Sequence, residues 1–218
     1  MKPEPPHASP PDYRDYVIRD GRFIGEFEEM YRDVEDPWHI GNATSFQYDL
    51  VLSLIRRHGI CRQPCQVMDI GCGKGAFTLR LKDALPEAHI LALDISQTAI
   101  AAARESIQAR GIEFRVMDVR KEYRHLSGAY NLVLMSQIAW YILPELRPIL
   151  HHLTMNLLGN GGYLLLNQAF YRDDEQTYGK EILSTVEELV GMVDLPLVDL
   201  IETERLSNHN AILLFRRS

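Results

Sequence analysis

Gly71, Gly73 and Gly75 stand at alternate positions straight after an apolar run and an aspartate, in the stretch VMDIGCGKGAF spanning Val67–Phe77. Glycine adds no packing and loses more freedom on folding than any other residue, so such a cluster needs a reason. Either the backbone turns sharply there, or a ligand comes hard against it. Two further aspartates end later apolar runs, Asp94 in HILALDI and Asp118 in IEFRVMDV. A carboxylate at Asp94 can accept hydrogen bonds from both hydroxyls of a ribose, and one at Asp118 from the exocyclic amine of an adenine. Asp69, two residues before the first glycine, suits a cationic amino group or a water bound to it and would sit poorly beside a pyrophosphate. The chemistry these residues point to is capture of a nucleoside.

These residues are positioned by alternating strands and helices. The runs QVMDI, HILALDI, IEFRVMDV, YNLVLMSQ and YLLLNQAF are expected to be strands. Between them, Gly75–Leu85, the run from Ser96 to Gly111 and Pro144–Leu158 are expected to be helices, with Ser96 as an N-cap. Continuous apolar strands alternating with helices imply a parallel sheet covered on both faces. The tail breaks the rhythm. After a helix near Gln176–Val190, LVDLIETERL and NAILLFRR flank the short polar turn SNHN and must run antiparallel. The expected fold is α/β, a doubly wound, mostly parallel seven-stranded sheet closed by an antiparallel C-terminal hairpin. In an open parallel sheet ligands sit at the carboxyl ends of the strands where strand order reverses, and the glycines lie at such an end.

Ahead of the sheet, residues 1–20 are expected to form a disordered or extended proline-rich tail, since their first twelve hold five of the eleven prolines. Residues 21–60 read as a helical lid. One helix carries Phe23, Phe27, Met30, Tyr31 and Val34 and is interrupted at Pro37; a second, about Ala43–His58, carries Phe46, Leu50, Leu54 and Ile55 on one face and stops at Gly59. Residues 61–218 form the main domain.

GCGKGA fits the dinucleotide fingerprint G-x-G-x-x-A, so a nicotinamide cofactor is one reading, while no Walker motif is present. Asp69, Asp118 and the terminal hairpin favour S-adenosylmethionine instead; Asp94 would serve either. The motifs VMDIGCGKGAF, LALDIS, RVMDVR, YNLVLMSQIAWYI and LLGNGGYLLLNQ, in this order and spacing over Gln66–Gln168, resemble those of the class I S-adenosylmethionine-dependent methyltransferases. The resemblance implies a Rossmann-like methyltransferase fold. It implies that Gly71, Gly73 and Asp69 receive the methionine part of the cofactor, Asp94 the ribose and Asp118 the adenine, with Ile95, Val119 and Trp38 also cofactor-binding. Gln137 falls where that family contacts the methionine end or faces substrate. EEMYRDVEDPWHIGN, containing Asp36-Pro37-Trp38, is similar to the lid of the nodulation-type N-methyltransferases, whose acceptor is an amino sugar; SQIAWYILPELRPILHHL and NHNAILLFRR are similar to the same group.

Trp38 either lines the cofactor pocket or anchors the lid as a packing residue. His39 and Tyr141 are the candidates for a general base, though a lone histidine in a turn more often makes an ordinary polar contact. Tyr31, Trp140 and Tyr141 are expected to face the acceptor, with helix packing as the alternative for Trp140. His151, His152 and Lys74 are expected to face solvent. Cys61, Cys65 and Cys72 read as free thiols, because the spacing completes no zinc site. No metal is implied. The partner expected is a small-molecule methyl acceptor; oligomeric state is not encoded in any motif.

The 218 residues allow one substantial domain, and 46% hydrophobic with 24% charged content is ordinary for a globular protein. A formal net charge of -7 argues against a nucleic-acid surface, which needs clustered Lys and Arg. No run of about 18 apolar residues provides a membrane span. MKPEPPHASPPD lacks the apolar core of a signal peptide, so a cytoplasmic location is expected. A non-catalytic S-adenosylmethionine-binding protein on the same fold is the remaining alternative.

Overall fold

The computed structural model describes residues 12–38, 42–106, 111–171, 178–205 and 208–218. Its centre is a seven-stranded sheet built from β3 (Cys65–Ile70), β4 (Ala88–Asp94), β5 (Ile112–Val116), β6 (Tyr130–Ser136), β7 (Leu158–Tyr171), β8 (Leu197–Arg205) and β9 (Asn208–Arg216), in the order β5-β4-β3-β6-β7-β9-β8. The pairs β3–β4, β3–β6, β4–β5 and β6–β7 are parallel, whereas β9 runs antiparallel to both β7 and β8. The expected doubly wound sheet with an antiparallel terminal hairpin is therefore the fold, and the hairpin closes with β9 inserted between β7 and β8.

Both faces of the sheet are buried, which is why its strands are apolar at consecutive positions. In β9, Ala211, Leu213 and Phe215 join one core while Ile212 and Leu214 join the other. Helix α3 (Asn42–Arg57) and helix α4 (Ala76–Ala84) cover the second face through Val51, Leu54, Ile55, Phe77 and Leu81. Helix α5 (Gln97–Ser106) closes over β4 and β5 through Ile100 and Ala103. Short α6 (Val119–Glu122), α7 (Leu146–His152) and α8 (Val186–Val190) contribute to the first face.

The chain ahead of the sheet differs from expectation in three ways. Residues 14–23 are ordered into α1 (Arg14–Val17) and a ladder of β1 (Ile18–Arg19) with β2 (Arg22–Phe23), because Val17, Tyr13 and Tyr16 bury against α2 (Phe27–Asp33). The expected tail over residues 1–20 thus gives way to structure from Asp12 onward. Phe23 belongs to β2, not to the lid helix. Helix α3 packs on the sheet with β7 and β9, while the lid cluster draws, among the described residues ahead of the sheet, on residues 13–38. Phe46 faces away from that core, 54% exposed.

Cys61 and Cys65 form a disulfide with Cα atoms 5.5 Å apart, which corrects the expectation of free thiols; Cys72 is free. A tight turn after α3, with Cys61 in the left-handed region at φ 60°, swings its side chain back onto the first residue of β3. The helix expected from Pro144 to Leu158 is three pieces: a 3-10 stretch Ala139–Glu145, α7, and a π turn Leu153–Leu157. That expected near Gln176–Val190 is helical only over Val186–Val190 among the described residues. No described helix is long and apolar enough to cross a membrane.

Candidate active site

The glycine loop leaves β3, which lies between β4 and β6, and strand order reverses between β3 and β6. Gly71, Gly73 and Gly75 have φ of 81°, 55° and 81°, conformations that side-chain-bearing residues rarely adopt. The loop is pinned to β4, because the Gly71 and Cys72 amides donate to the Leu93 carbonyl at 2.8 and 2.9 Å. Asp94 holds it from the next strand end: one carboxylate oxygen accepts from the Gly73 amide at 2.8 Å and the other from the Ser96 amide at 2.9 Å. Burial raises the Asp94 pKa, and those backbone donors work against the rise. Beneath the loop Asp69 is 2% exposed and accepts from the Thr78 hydroxyl at 2.6 Å. Burial pushes Asp69 up to about 6, with the Thr78 bond opposing and the nearby Asp94 charge adding. Burial likewise raises the Cys72 thiol.

Lid side chains lie over this loop. A Cβ on Gly73 would stand 2.8 Å from the Tyr31 hydroxyl, and one on Gly71 would strike Ile138. The Trp38 indole N–H donates to that same Tyr31 hydroxyl at 2.7 Å. Tyr31 thus stands where a side chain on Gly73 would point. The lid is tied down at two points. Glu28 reaches the start of α5, accepting from the Ser96 hydroxyl at 2.7 Å and the Thr98 hydroxyl at 2.5 Å. Lys74, expected to face solvent, donates from Nζ to the Glu35 carbonyl at 2.6 Å.

Gln137 follows β6 with a left-handed backbone at φ 59°. Its amide oxygen accepts from the Ala169 amide at 2.9 Å, and its amide nitrogen reaches Gln47 of α3 at 3.3 Å and Asn167 at 3.4 Å. Tyr141 packs among Trp38, Phe27 and Phe23, with ring centroids 5.8, 5.3 and 6.4 Å away. Trp140 does not face this space. It is 5% exposed and its indole N–H donates to the Ala169 carbonyl at 2.9 Å, so the packing role is the right one.

The structure brings together Asp69, Gly71, Gly73, Asp94 and Tyr31, with Trp38 and Ile95 in the same lid cluster. Asp118 ends the loop after β5, caps α6 by accepting from the Arg120 amide and is forked by the Arg120 guanidinium at 2.9 Å on each oxygen. That arginine holds the Asp118 pKa below the ordinary carboxylate value despite partial burial. Val119 is buried in the core beside it. His39 lies outside the described residues. His152, expected in solvent, packs edge-on to Tyr123 at 5.4 Å with its Nε2 buried and unpartnered among the described residues. Sequence reasoning missed Glu28, Thr78, Gln47, Asn167 and Phe23. Thr78 is one helical turn past the glycines and was accessible by spacing; the others act across long sequence separations that no local pattern marks.

Residues 67–162 match the family described as "Methyltransferase domain". That match covers less than half of the chain, and with the sheet order it shows the Rossmann-like fold of the methyltransferases. In fold it is similar to the N-methyltransferase NodS from Bradyrhizobium japonicum WM9, solved with S-adenosylhomocysteine, which superposes with a TM-score of 0.65 at 16% identity, covering 88% of this chain and 97% of NodS. Magnesium protoporphyrin IX methyltransferase from Synechocystis PCC 6803, solved with bound S-adenosylmethionine, gives 0.65 at 19% identity, covering 88% and 95%. Among curated proteins, malonyl-[acyl-carrier protein] O-methyltransferase of Bacillus anthracis is 26% identical over 136 residues, which are 58% of this chain and 49% of that protein. The chain spans about half the length of that relative. The residues at the strand ends fit the cofactor of this class: a loop where only glycine is accommodated, a buried acid on the adjacent strand, and a second buried acid beneath.

Proposed function

We propose that this protein transfers the methyl group of S-adenosylmethionine to a nitrogen or oxygen of a small molecule. The observation that carries this is the left-handed glycine loop held at 2.8 Å by Asp94, at the reversal of strand order. The cofactor, when bound, supplies a methyl group already activated by its sulfonium charge.

The chain's part is binding and alignment. Asp94 accepts from the ribose hydroxyls, the main chain of Gly71 and Gly73 admits the methionine part, and Asp69 provides negative potential under its ammonium. Asp118, with Arg120 fixing it, and Val119 border the adenine. Gln137 fixes the edge from which the acceptor approaches. Orientation of this kind can lower a barrier by about 7–11 kcal/mol. The lid excludes water. A base is needed only where the acceptor must lose a proton; Tyr141 and His39 are the candidates.

A sugar or amino sugar is the acceptor implied by the sequence resemblance to the nodulation-type group. The test is transfer of labelled methyl from S-adenosylmethionine to a panel of amines, phenols, carboxylates and amino sugars. Label should appear in one acceptor class and depend on Asp94. Tight cofactor binding with no label in any class would instead make this a binding protein.

A further inference from the structure

The Cys61–Cys65 bridge joins the turn after α3 to the first residue of β3 across a sequence separation of 4. A loop that short restrains the unfolded chain least, so the cross-link adds little to stability. Its two sulfurs stand in different surroundings. Cys65 is 6% exposed, in the core with Val51 and Leu54 of α3. Cys61 is partly exposed, and its backbone is left-handed at φ 60°, a conformation that a β-carbon disfavours. We propose that this bridge is a site of thiol exchange: an anionic low-molecular-weight thiol such as glutathione attacks Cys61 Sγ, and the bridge opens and closes within the folded protein. The inference stands apart from the methyltransferase reading.

The turn is held without the sulfurs. Arg57 and His58, at the end of α3, reach Asp199 of β8 at 3.0 and 2.8 Å. Ile60 is 5% exposed, and its amide donates to the Ile55 carbonyl at 3.0 Å. On the other side Cys65 pairs with Ala88 at the head of β4. Opening the bridge therefore frees Cys61 from the left-handed region while α3 and β3 stay in place. The surroundings favour an anionic attacker. Arg56, Arg57 and Arg62 are exposed on either side of Cys61, and Arg62 folds over the turn, since a Cβ on Gly59 would stand 2.5 Å from its Nε. Partly exposed cysteines among cations are the ones that exchange. In the first step a thiolate RS⁻ forms a bond to Cys61 Sγ as the Cys61–Cys65 bond breaks, and the Cys65 thiolate leaves and takes up a proton. A second RS⁻ attacks the RS sulfur of the mixed disulfide and releases RSSR with the Cys61 thiolate, which is protonated in turn. Two RSH are thus oxidised to RSSR and the bridge is reduced to two thiols; excess RSSR reverses both steps.

The test is incubation of the full chain with reduced glutathione under native conditions, quenched with iodoacetamide and read by peptide mass spectrometry. Glutathione should appear on Cys61 and the carbamidomethyl label on Cys65. The opened protein should keep its circular dichroism and melt roughly 2–6 °C below the bridged form. Cys61→Gly removes the bridge but suits the left-handed turn, and should melt at or above the glutathione-opened protein, with Cys61→Ala below it. At equal thiolate concentration cysteamine, a cationic thiol, should open the bridge roughly three-fold or more slowly than glutathione. A bridge that opens only when denaturant unfolds the chain would overturn the proposal, as would glutathione on Cys65 in place of Cys61. Failure of Cys61→Gly to fold would make the bridge a staple and overturn it too. Equal rates for the two thiols would remove the anionic partner from it.

Discussion

Glu28 and Thr98, 70 positions apart, form the tie between the lid and the cofactor edge: the Glu28 carboxylate accepts from the Thr98 hydroxyl at 2.5 Å and the Thr98 amide at 3.2 Å. An anion supplied by α2 thus satisfies donors at the start of α5, the loop that also carries Asp94. The Thr98 bond, followed by those from Ser96 and the backbone, lowers the Glu28 pKa. A depressed carboxylate stabilises the closed lid above its ordinary pKa and loses that effect as pH falls through the depressed value. Glu28→Ala should cost about 1–2 kcal/mol of lid closure, seen as roughly ten-fold faster amide exchange in residues 27–33 at neutral pH. The difference from the unmutated protein should shrink in acid. Equal exchange at neutral pH would mean that the contact does not hold the lid.

Asp69 behaves in the opposite sense. Its pKa, raised from 3.8 to about 6, makes the folded state bind a proton more readily than the unfolded chain. Its contribution to stability is full below the ordinary value and is lost as pH rises through 6. Asp69→Asn, which still accepts from Thr78, should therefore raise the melting temperature above pH 7 and change little near pH 4. The gain is on the order of 2–3 kcal/mol. The same variant should weaken S-adenosylhomocysteine, because the carboxylate under the ammonium is gone. A variant no more stable at pH 8 would show that Asp69 is not held as a strained buried acid.

Trp140→Phe separates packing from chemistry. With its indole N–H bonded to the Ala169 carbonyl and the ring in the core, the substitution should lower stability by about 1 kcal/mol and leave kcat/KM within about two-fold. A large loss of kcat/KM without loss of stability would return Trp140 to the acceptor wall.

Gly73→Ala should bind neither lid nor cofactor well. The left-handed backbone costs about 1 kcal/mol, and the new methyl meets the Tyr31 hydroxyl 2.8 Å away. A lower melting temperature together with lost S-adenosylhomocysteine binding is expected, and Tyr31→Phe should recover part of the stability but not the binding. Recovery of both would mean that the methyl obstructs the lid rather than the ligand.

The sheet was legible because its strands bury both faces, leaving uninterrupted apolar runs such as Ile90–Leu93 and Leu132–Met135. The glycine loop was legible because left-handed backbone restricts residue type there. What escaped depends on contacts distant in sequence. Phe23 looked helical by spacing with Phe27, yet the turn through Asp20 and Gly21 places it in a ladder. Trp140 looked like a rim residue by its distance from β6, yet the 3-10 stretch rotates it inward while leaving Tyr141 outward. Asp118 kept its place at the end of β5, but nothing in VMDVR shows that Arg120 would close on it. Cys61 and Cys65 were set aside on spacing alone, and the left-handed turn at Cys61 brings them together.

The most direct measurement is calorimetric titration of S-adenosylhomocysteine, with NADH in parallel, into the unmutated protein and into Asp94→Ala. We expect S-adenosylhomocysteine to bind, NADH to give no heat, and Asp94→Ala to weaken binding by about 100-fold or more, since a buried acceptor for two ribose hydroxyls is lost. Binding of NADH, or equal S-adenosylhomocysteine affinity in the two proteins, would contradict the assignment of the Asp94–Gly73 edge as the seat of the methyl donor.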